Sequence, residues 1–215
     1  MPKYYPICLD IARLPCLVVG GGAVGLRKVR TLLAHGARAT VVAPLATRAL
    51  ERLARQGRIC LRRRGYRTSD LKGVRLAFVA TDDAALNRRV ASDARQHGLF
   101  VNVVDDPELC DFIVPSIVRR SQLLLAVSTG GSCPAYSKRL RQQLEKQFDP
   151  AYGHYVQLLG GMRRLIQQRV KDQARAVKLL EQLLGVDLLN VIRKKGRAAA
   201  EARARALVER WLQCR

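Results

Sequence analysis

Three glycines near the start of the chain have the spacing of a phosphate-binding turn. Gly20, Gly22 and Gly25 follow the apolar run Leu17–Val19. In such a turn the first glycine permits the tight passage from strand to helix, the second lets backbone amides approach a pyrophosphate, and the third allows close helix packing. The helix N-terminus then faces the anion. The pattern predicts a dinucleotide site, although glycines also serve tight turns that bind nothing.

Asp105 is the candidate for acid–base chemistry. It follows the apolar run Phe100–Val104, and with Thr81 and Asn102 it falls at the carboxyl end of a predicted strand, where parallel sheets bind ligands. A carboxylate there could serve as a general base. The alternative is a plain turn at Asp105-Asp106-Pro107, because an aspartate before proline is ordinary loop chemistry.

A second glycine-bearing loop, Ser128–Pro134, precedes a predicted helix that begins near Ala135 and carries Lys138. Its backbone amides could hold a carboxylate or a phosphate. Capping of the helix by Ser132 explains the same residues without a ligand. Similarly, Asp82-Asp83 is interpreted first as the N-cap and first-turn acid of another helix.

The elements that must position these residues alternate between strand and helix. A predicted helix over 26–34 follows the glycines and stops at His35-Gly36, and another runs from about Ala85 to His97. Apolar runs predict strands near 15–19, 38–44, 59–62, 76–80, 100–104, 112–116 and 123–127. From Pro150 onward only helical spacing is visible. The order predicts an α/β fold of Rossmann type with a parallel sheet, followed by a helical C-terminal part.

The end of the second strand lacks the acidic residue that usually holds the adenosine ribose. Val42, Ala43 and Pro44 occupy that place, so charge does not distinguish NAD from NADP. Arg48 could reach a 2′-phosphate, although an arginine four residues past the strand is more often a solvated helix residue.

Charge and composition limit the possible partners. The chain has 215 residues, with 39 basic and 17 acidic side chains and a net charge of +22. The excess is spread along the whole chain, and the densest basic clusters lack interleaved aromatic residues, which argues against nucleic acid. Solvated arginine faces and a polyanionic small ligand remain the two explanations for the positive charge.

The six cysteines and three histidines lack metal-ligand spacing. The sequence contains no signal-like or membrane-spanning segment, so we expect a cytoplasmic protein.

Taken together, these motifs resemble the precorrin-2 dehydrogenase/sirohydrochlorin ferrochelatase family, the module that also forms the N-terminal part of siroheme synthase. The resemblance covers roughly residues 4–150, in the order of the family. It rests on Tyr5-Pro6-Ile7, Val18-Val19-Gly20-Gly21-Gly22-x-Val24-x-x-Arg27-Lys28, Ala80-Thr81-Asp82-Asp83, Val101-Asn102-Val103-Val104-Asp105, Phe112-Ile113-x-Pro115-Ser116 and Ala126-Val127-Ser128-x-Gly130-Gly131.

The resemblance implies NAD-dependent oxidation of precorrin-2, a polycarboxylate tetrapyrrole, to sirohydrochlorin. It implies a homodimer with no nucleic-acid or membrane partner and three parts: an NAD-binding domain at 1–112, a dimerisation segment at 113–149 and a helical domain at 150–215. Asp105 matches the catalytic aspartate of the family. The cofactor contacts carried over from the family are Gly22, Ala23, Val24, Pro44 and Leu45, with Thr81 and Asn102 as neighbours. Gly20 joins this cofactor-binding set from the glycine motif. The predicted substrate-binding residues come from the second loop and its basic helix: Ser128, Gly130, Gly131 and Lys138.

Some questions stay open at this point. Some family members also insert ferrous iron or cobalt, a lyase activity in which the metal is substrate rather than a resident ion, and the sequence does not decide this. Asp106 and Cys133 depart from the family pattern. A nucleotide-sensing regulator that binds DNA and a different NAD(P) oxidoreductase are the competing hypotheses, and the ordered motifs argue against both.

Overall fold

The computed structural model describes residues 4–213, which form two compact units. The first unit is Met1–Val114 and the second is Pro115–Arg215. The first contains the predicted glycine turn and Asp105, whereas the second contains the Ser128–Pro134 loop.

The first unit is built on a five-stranded parallel sheet with the order β3-β2-β1-β4-β5. Its strands are β1 (Pro15–Val19), β2 (Arg38–Val42), β3 (Ile59–Arg62), β4 (Leu76–Val79) and β5 (Phe100–Val103). Strand β1 lies in the centre, between β2 and β4. The order in which strands are added therefore reverses at β1: β2 and β3 lie on one side of it, and β4 and β5 on the other. In such sheets ligands bind at the carboxyl ends of the strands beside this point.

Three helices cover the two faces of this sheet: α1 (Ala23–Ala34), α2 (Arg48–Arg55) and α3 (Ala84–Gln96). Alternate strand residues point to opposite faces, so the three inner strands β1, β2 and β4 contribute to two apolar clusters. In one, Val18 and Phe78 pack with Val29 of α1. In the other, Val19 and Val79 pack with side chains of α3. The predicted α/β fold of Rossmann type is confirmed.

The observed starts of α1 and α3 differ in part from those predicted. Helix α1 begins at Ala23 inside the glycine turn, three residues before the predicted start, because Gly22 takes the N-cap position with extended backbone. Asp83 caps α3 by accepting a hydrogen bond from the Leu86 amide, as predicted. Asp82 precedes this cap, so the predicted first-turn acid is wrong.

The second unit pairs two antiparallel strands, β6 (Ser116–Arg120) and β7 (Leu123–Val127). Four helices follow: α4 (Pro134–Gln147), α5 (Pro150–Arg169), α6 (Gln173–Leu184) and α7 (Leu188–Gln213). Helix α7 is broken at Gly196, whose φ is 81°. The last three helices enclose an apolar core that contains Leu158, Ile166 and Leu183. The predicted helical character beyond Pro150 is confirmed.

Two local expectations are wrong. The predicted strand over 112–116 starts only at Ser116, because Phe112 packs edge-on against Phe78 of the first sheet and Pro115 has no amide hydrogen for a ladder. The predicted cap of α4 by Ser132 is also not formed. Cys133 takes the N-cap position without a side-chain hydrogen bond to the helix. Within residues 4–213, no helix is both long and apolar enough to cross a membrane.

Candidate active site

The glycine turn after β1 is tightly packed against the neighbouring strand. Gly20 has φ +117°, and a Cβ atom there would lie 2.1 Å from the Ala80 carbonyl oxygen. At Gly25 a Cβ would lie 2.3 Å from the carbonyl oxygen of Gly20. Both distances are far below a van der Waals contact, so any side chain would force the backbone apart. The first and third glycines of the motif are thus required by the fold itself.

Gly22, in contrast, has open space around it. No heavy atom lies within 4 Å of a Cβ built there, and its φ of −78° is available to any residue. It is the N-cap of α1 and forms no side-chain cap hydrogen bond. The first amides of α1, at Ala23 and Val24, have no intrahelical partner because no helical carbonyl lies four residues before them. A pyrophosphate fits here, since these amides and the positive end of the helix dipole suit an anion.

The loop from β2 to α2 lies against the same glycine turn. The Thr47 amide donates to the Gly21 carbonyl at 2.9 Å, and a Cβ on Gly21 would lie 2.0 Å from the carbonyl oxygen of Leu45. Pro44 and Leu45 are exposed, Leu45 by 86%. An apolar side chain so exposed at the carboxyl end of β2 offers a surface for the adenosine half of a dinucleotide.

The charged residues around this loop are mostly engaged elsewhere. Arg62 and Arg64 both donate to the buried carboxylate of Asp70, and these guanidinium groups hold the pKa of Asp70 far below its usual range, with Arg64 the largest contribution. Arg63 pairs with Glu51 at 2.7 Å. Arg48 is exposed in the first turn of α2, so its interpretation as a solvated helix residue fits the structure.

Thr81 lies two residues past the end of β4. Its hydroxyl donates to the side-chain oxygen of Asn87 at 2.5 Å, while the Asn87 side-chain amide donates to the Thr81 carbonyl at 3.1 Å. This exchange fixes the Thr81 side chain at the edge of the glycine turn, where its methyl group lies close to Gly20.

Asp105 occupies a two-residue turn directly after β5 and is exposed. Its φ is 61°, in the left-handed region that residues other than glycine rarely adopt. Arg13 and Ser121 share this conformation, so the backbone alone does not mark Asp105 as functional. Its position does add an argument: the turn lies at the carboxyl edge of the sheet, on the β4–β5 side of the glycine turn.

Asn102 is buried one residue before the end of β5, and its amide is used by the protein itself. The Lys28 ammonium donates to the Asn102 Oδ1 atom at 2.9 Å. The Nδ2 group donates to the Phe112 carbonyl at 3.0 Å and approaches the Cys110 sulfur at 3.5 Å. Asn102 therefore fastens the end of β5 from within, and contact with a cofactor stays a prediction.

Lys28 is the functional candidate that sequence reasoning did not select. Its ammonium lies over the Phe78 ring, 5.5 Å from the centroid, on the face of the sheet that α1 covers. The available signals were the Arg27-Lys28 pair in the family motif and a charged residue beside the buried positions Gly25 and Val29 of α1. Neither signal revealed the partner Asn102, which is 74 residues away.

Cys110 closes the loop that carries Asp105. Its sulfur accepts from the Val103 amide at 3.2 Å and donates to the Asp106 carbonyl at 3.3 Å. Burial raises the pKa of the Cys110 thiol. A protonated thiol with these backbone partners acts as a structural clamp rather than as a nucleophile.

The four predicted substrate-binding residues lie in the second unit. The Ser128 hydroxyl accepts from the Gly130 amide at 3.0 Å, and Gly130 and Gly131 have positive φ values of 63° and 90° with no atom within 4 Å of a built Cβ. Lys138 is exposed on α4. The loop is thus open and polar, and a substrate role for it stays a prediction. Across residues 4–213, no group of three or more potential metal-ligating side chains is found.

The strand order of the sheet, the glycine turn and the start of α1, which has no side-chain cap, define a Rossmann-type dinucleotide-binding protein. Comparisons with known proteins agree with this class. Residues 7–116 match the family described as "Putative NAD(P)-binding". This match covers more than half of the chain, which therefore belongs to that NAD(P)-binding family.

The chain is also similar to siroheme synthases. It is 44% identical to the siroheme synthase of Methylococcus capsulatus over 169 residues, covering 79% of this chain and 36% of that protein. With the siroheme synthase of Nitrosospira multiformis the identity is 37% over 215 residues, covering 98% of this chain and 45% of the relative. The chain thus spans less than half the length of these curated relatives.

A solved structure described as "SirC, precorrin-2 dehydrogenase" has the same fold. The TM-score is 0.76 at 28% sequence identity, and the match covers 96% of this chain and all of the solved one. The family and fold matches agree with the predicted NAD cofactor, and the resemblance stated from the motifs is confirmed.

Proposed function

We propose that this protein oxidises precorrin-2 to sirohydrochlorin with NAD as the hydride acceptor. The observation that carries the proposal is the position of Asp105, in a left-handed turn at the carboxyl edge of the sheet beside a glycine turn built for a dinucleotide. The similarity to a precorrin-2 dehydrogenase and to siroheme synthases supports this choice of substrate.

The first unit would hold the cofactor through groups of its own backbone. Gly20 and Gly22 shape the turn, and the amides of Ala23 and Val24 receive the pyrophosphate. Pro44 and Leu45 flank the adenosine, while Thr81 and Asn102 border the nicotinamide side. The cofactor supplies a hydride acceptor. The glycine turn that would hold it follows β1, the central strand of the sheet.

Asp105 is the base in this proposal. Loss of a hydride leaves a cation on the tetrapyrrole, and loss of a proton restores a neutral conjugated system. A carboxylate at the carboxyl edge of the sheet can accept that proton, since it is exposed and able to meet the substrate. Asp106 differs, because its backbone carbonyl is bonded to Cys110 and it lies partly buried behind the turn.

The substrate is a polycarboxylate, and the charge of +22 suits such a ligand. Ser128, Gly130, Gly131 and Lys138 are assigned to its carboxylates, because a polar, open loop and an exposed ammonium suit such groups. The remaining parts of the proposal are a cytoplasmic homodimer assembled through residues 113–149 and, as a further activity, insertion of ferrous iron or cobalt into the product. Size-exclusion chromatography with light scattering and a metal-insertion assay with sirohydrochlorin test these parts separately.

The decisive experiment is an anaerobic assay of the purified protein with precorrin-2 and NAD, monitored by NADH formation. Asp105→Asn is the test variant, and Asp106→Asn is its matched control, one residue away with the same change of charge. We expect turnover by the wild type and by Asp106→Asn, and loss of turnover in Asp105→Asn. Turnover by Asp105→Asn at the wild-type rate would contradict its role as base. Absence of turnover in the wild type, with intact NADH binding, would contradict the choice of substrate.

A further inference from the structure

A charged side chain lies inside the apolar face that α1 covers. Lys28 extends from α1 across the ring of Phe78 to the amide of Asn102. Val18, Phe78 and Asn102 are in register on three adjacent strands, so they share one face of the sheet. Val18 and Phe78 belong to the apolar cluster of that face, and Asn102 with Lys28 forms its polar end, next to the turn of Asp105.

This pair fastens both ends of the segment that carries Asp105. Asn102 precedes Asp105 in β5, and its Nδ2 group holds the carbonyl of Phe112, which follows the turn. Lys28 in turn holds the other atom of the same amide, so the amide has one orientation: Oδ1 toward α1 and Nδ2 toward Phe112. The Cys110 sulfur adds a bond to the Val103 amide. The loop is therefore short, closed at its base and anchored to α1.

The electrostatic setting of Lys28 is unfavourable for its own charge. Burial, and then the nearby Arg27, lower the pKa of Lys28, while Cys110 and the carboxylate of Asp105 act in the opposite direction. The structure gives its ammonium an amide oxygen as partner rather than a carboxylate. A neutral side chain at this point would spare the cost of burying a charge.

We propose that Lys28 is a positioning residue for Asp105: through its hydrogen bond to Asn102 it fixes the turn after β5 that carries the carboxylate. The proposal rests on the proposed function of Asp105 as base. It concerns a residue to which neither the glycine motif nor the strand ends assign a role.

Three variants test this hydrogen bond. Lys28→Met keeps an unbranched apolar side chain and removes the donor to the Asn102 oxygen. Lys28→Arg keeps a donor. Arg30→Gln is the matched control, because Arg30 is an exposed cation on the same helix and its loss changes the net charge equally. Each variant is examined by anaerobic turnover, by NADH affinity and by thermal unfolding.

We expect Lys28→Met to bind NADH like the wild type but to turn over about tenfold more slowly, because the Asn102 amide loses its anchor on α1 and the turn that carries Asp105 is held less firmly. The loss should reside in kcat rather than in KM. Lys28→Arg should restore the rate, and Arg30→Gln should match the wild type.

A Lys28→Met protein with the turnover of the wild type would overturn the proposal. So would a loss shared equally by Arg30→Gln, because the cause would then be overall attraction of an anionic substrate. If Lys28→Met is unstable, Lys28→Arg decides: a stable arginine variant without restored turnover also overturns it. Failure of the proposed function is distinguishable, because in that case the wild type itself shows no turnover.

Discussion

Two glycine-bearing loops in this molecule lead into a helix, and they differ in what their surroundings demand. In the turn after β1, a Cβ at Gly20 would lie 2.1 Å from the carbonyl oxygen of Ala80, which directly follows β4. In the Ser128–Pro134 loop before α4, Gly130 and Gly131 have positive φ but no atom within 4 Å of a built Cβ. Packing against the neighbouring backbone thus explains the glycine at position 20 of the first loop. In the second loop only the positive φ values favour glycine.

The comparison teaches that a glycine motif contains residues of different kinds. Gly20 and Gly25 are required by packing and would be glycine without any ligand. Gly22 has neither a close neighbour nor a positive φ, so the folded chain gives no reason for glycine there. It is therefore the position at which a bound pyrophosphate would set the requirement. Four substitutions test this division, from the largest expected effect on unfolding to the smallest.

Gly20→Ala should have the largest effect. An alanine at this position would have to adopt a positive φ, and its Cβ would also clash with the backbone. We therefore expect the free energy of unfolding to fall by about 3 kcal/mol. NADH affinity should fall with it, because the turn must open to relieve the clash. Urea unfolding and NADH fluorescence measure the two effects. A stable Gly20→Ala protein would show that the turn can move away from Ala80, and the packing argument for the first loop would fail.

Asp70→Asn tests the support behind the first loop. Asp70 holds Arg62, whose backbone carbonyl accepts from the Ala43 amide at the start of the β2–α2 loop. We expect a loss of about 2 kcal/mol at neutral pH, since a buried carboxylate loses its charge while its arginine partners are partly exposed.

The pH dependence of this contribution has a definite sign. The pKa of Asp70 is lowered by folding, so its carboxylate stabilises the protein above the pKa of the unfolded chain, and this contribution is lost as pH falls through the lowered, folded value. Urea unfolding at pH 7 and at acidic pH should show the wild type and Asp70→Asn converging on acidification. Parallel curves would indicate that Asp70 contributes through packing alone.

Much of this framework was accessible from the sequence. Periodicity and glycine spacing predicted the parallel sheet, the βαβ unit and Asp105 at a strand end, because these depend on residues adjacent in the chain. The Lys28–Asn102 bond was not predictable, since it joins positions 74 residues apart on a helix and a strand. The strand predicted over 112–116 was wrong because the Phe112 side chain packs on Phe78, a tertiary contact that overrides local β propensity.

Gly130→Ala is the counterpart of Gly20→Ala in the second loop. Alanine at this position must adopt a left-handed φ, which should lower the free energy of unfolding by about 1 kcal/mol, and its Cβ meets no neighbouring atom. Urea unfolding should show this modest loss, and NADH affinity should equal that of the wild type. If unfolding were as strongly affected as in Gly20→Ala, the second loop would be packed in solution and the contrast between the two loops would disappear.

Gly22→Ala should have the smallest effect on unfolding and the most informative effect on binding. Its φ of −78° and the open space around its Cβ position leave the free energy of unfolding close to the wild-type value. If the pyrophosphate approaches the backbone at the start of α1, the added methyl group stands in its way, and NADH affinity should fall by about tenfold. Isothermal titration with NADH, paired with urea unfolding of the same sample, measures both quantities. A loss of affinity at constant stability assigns this glycine to the ligand, whereas unchanged affinity would move the pyrophosphate away from Gly22 and leave packing as the explanation of Gly20 and Gly25 alone.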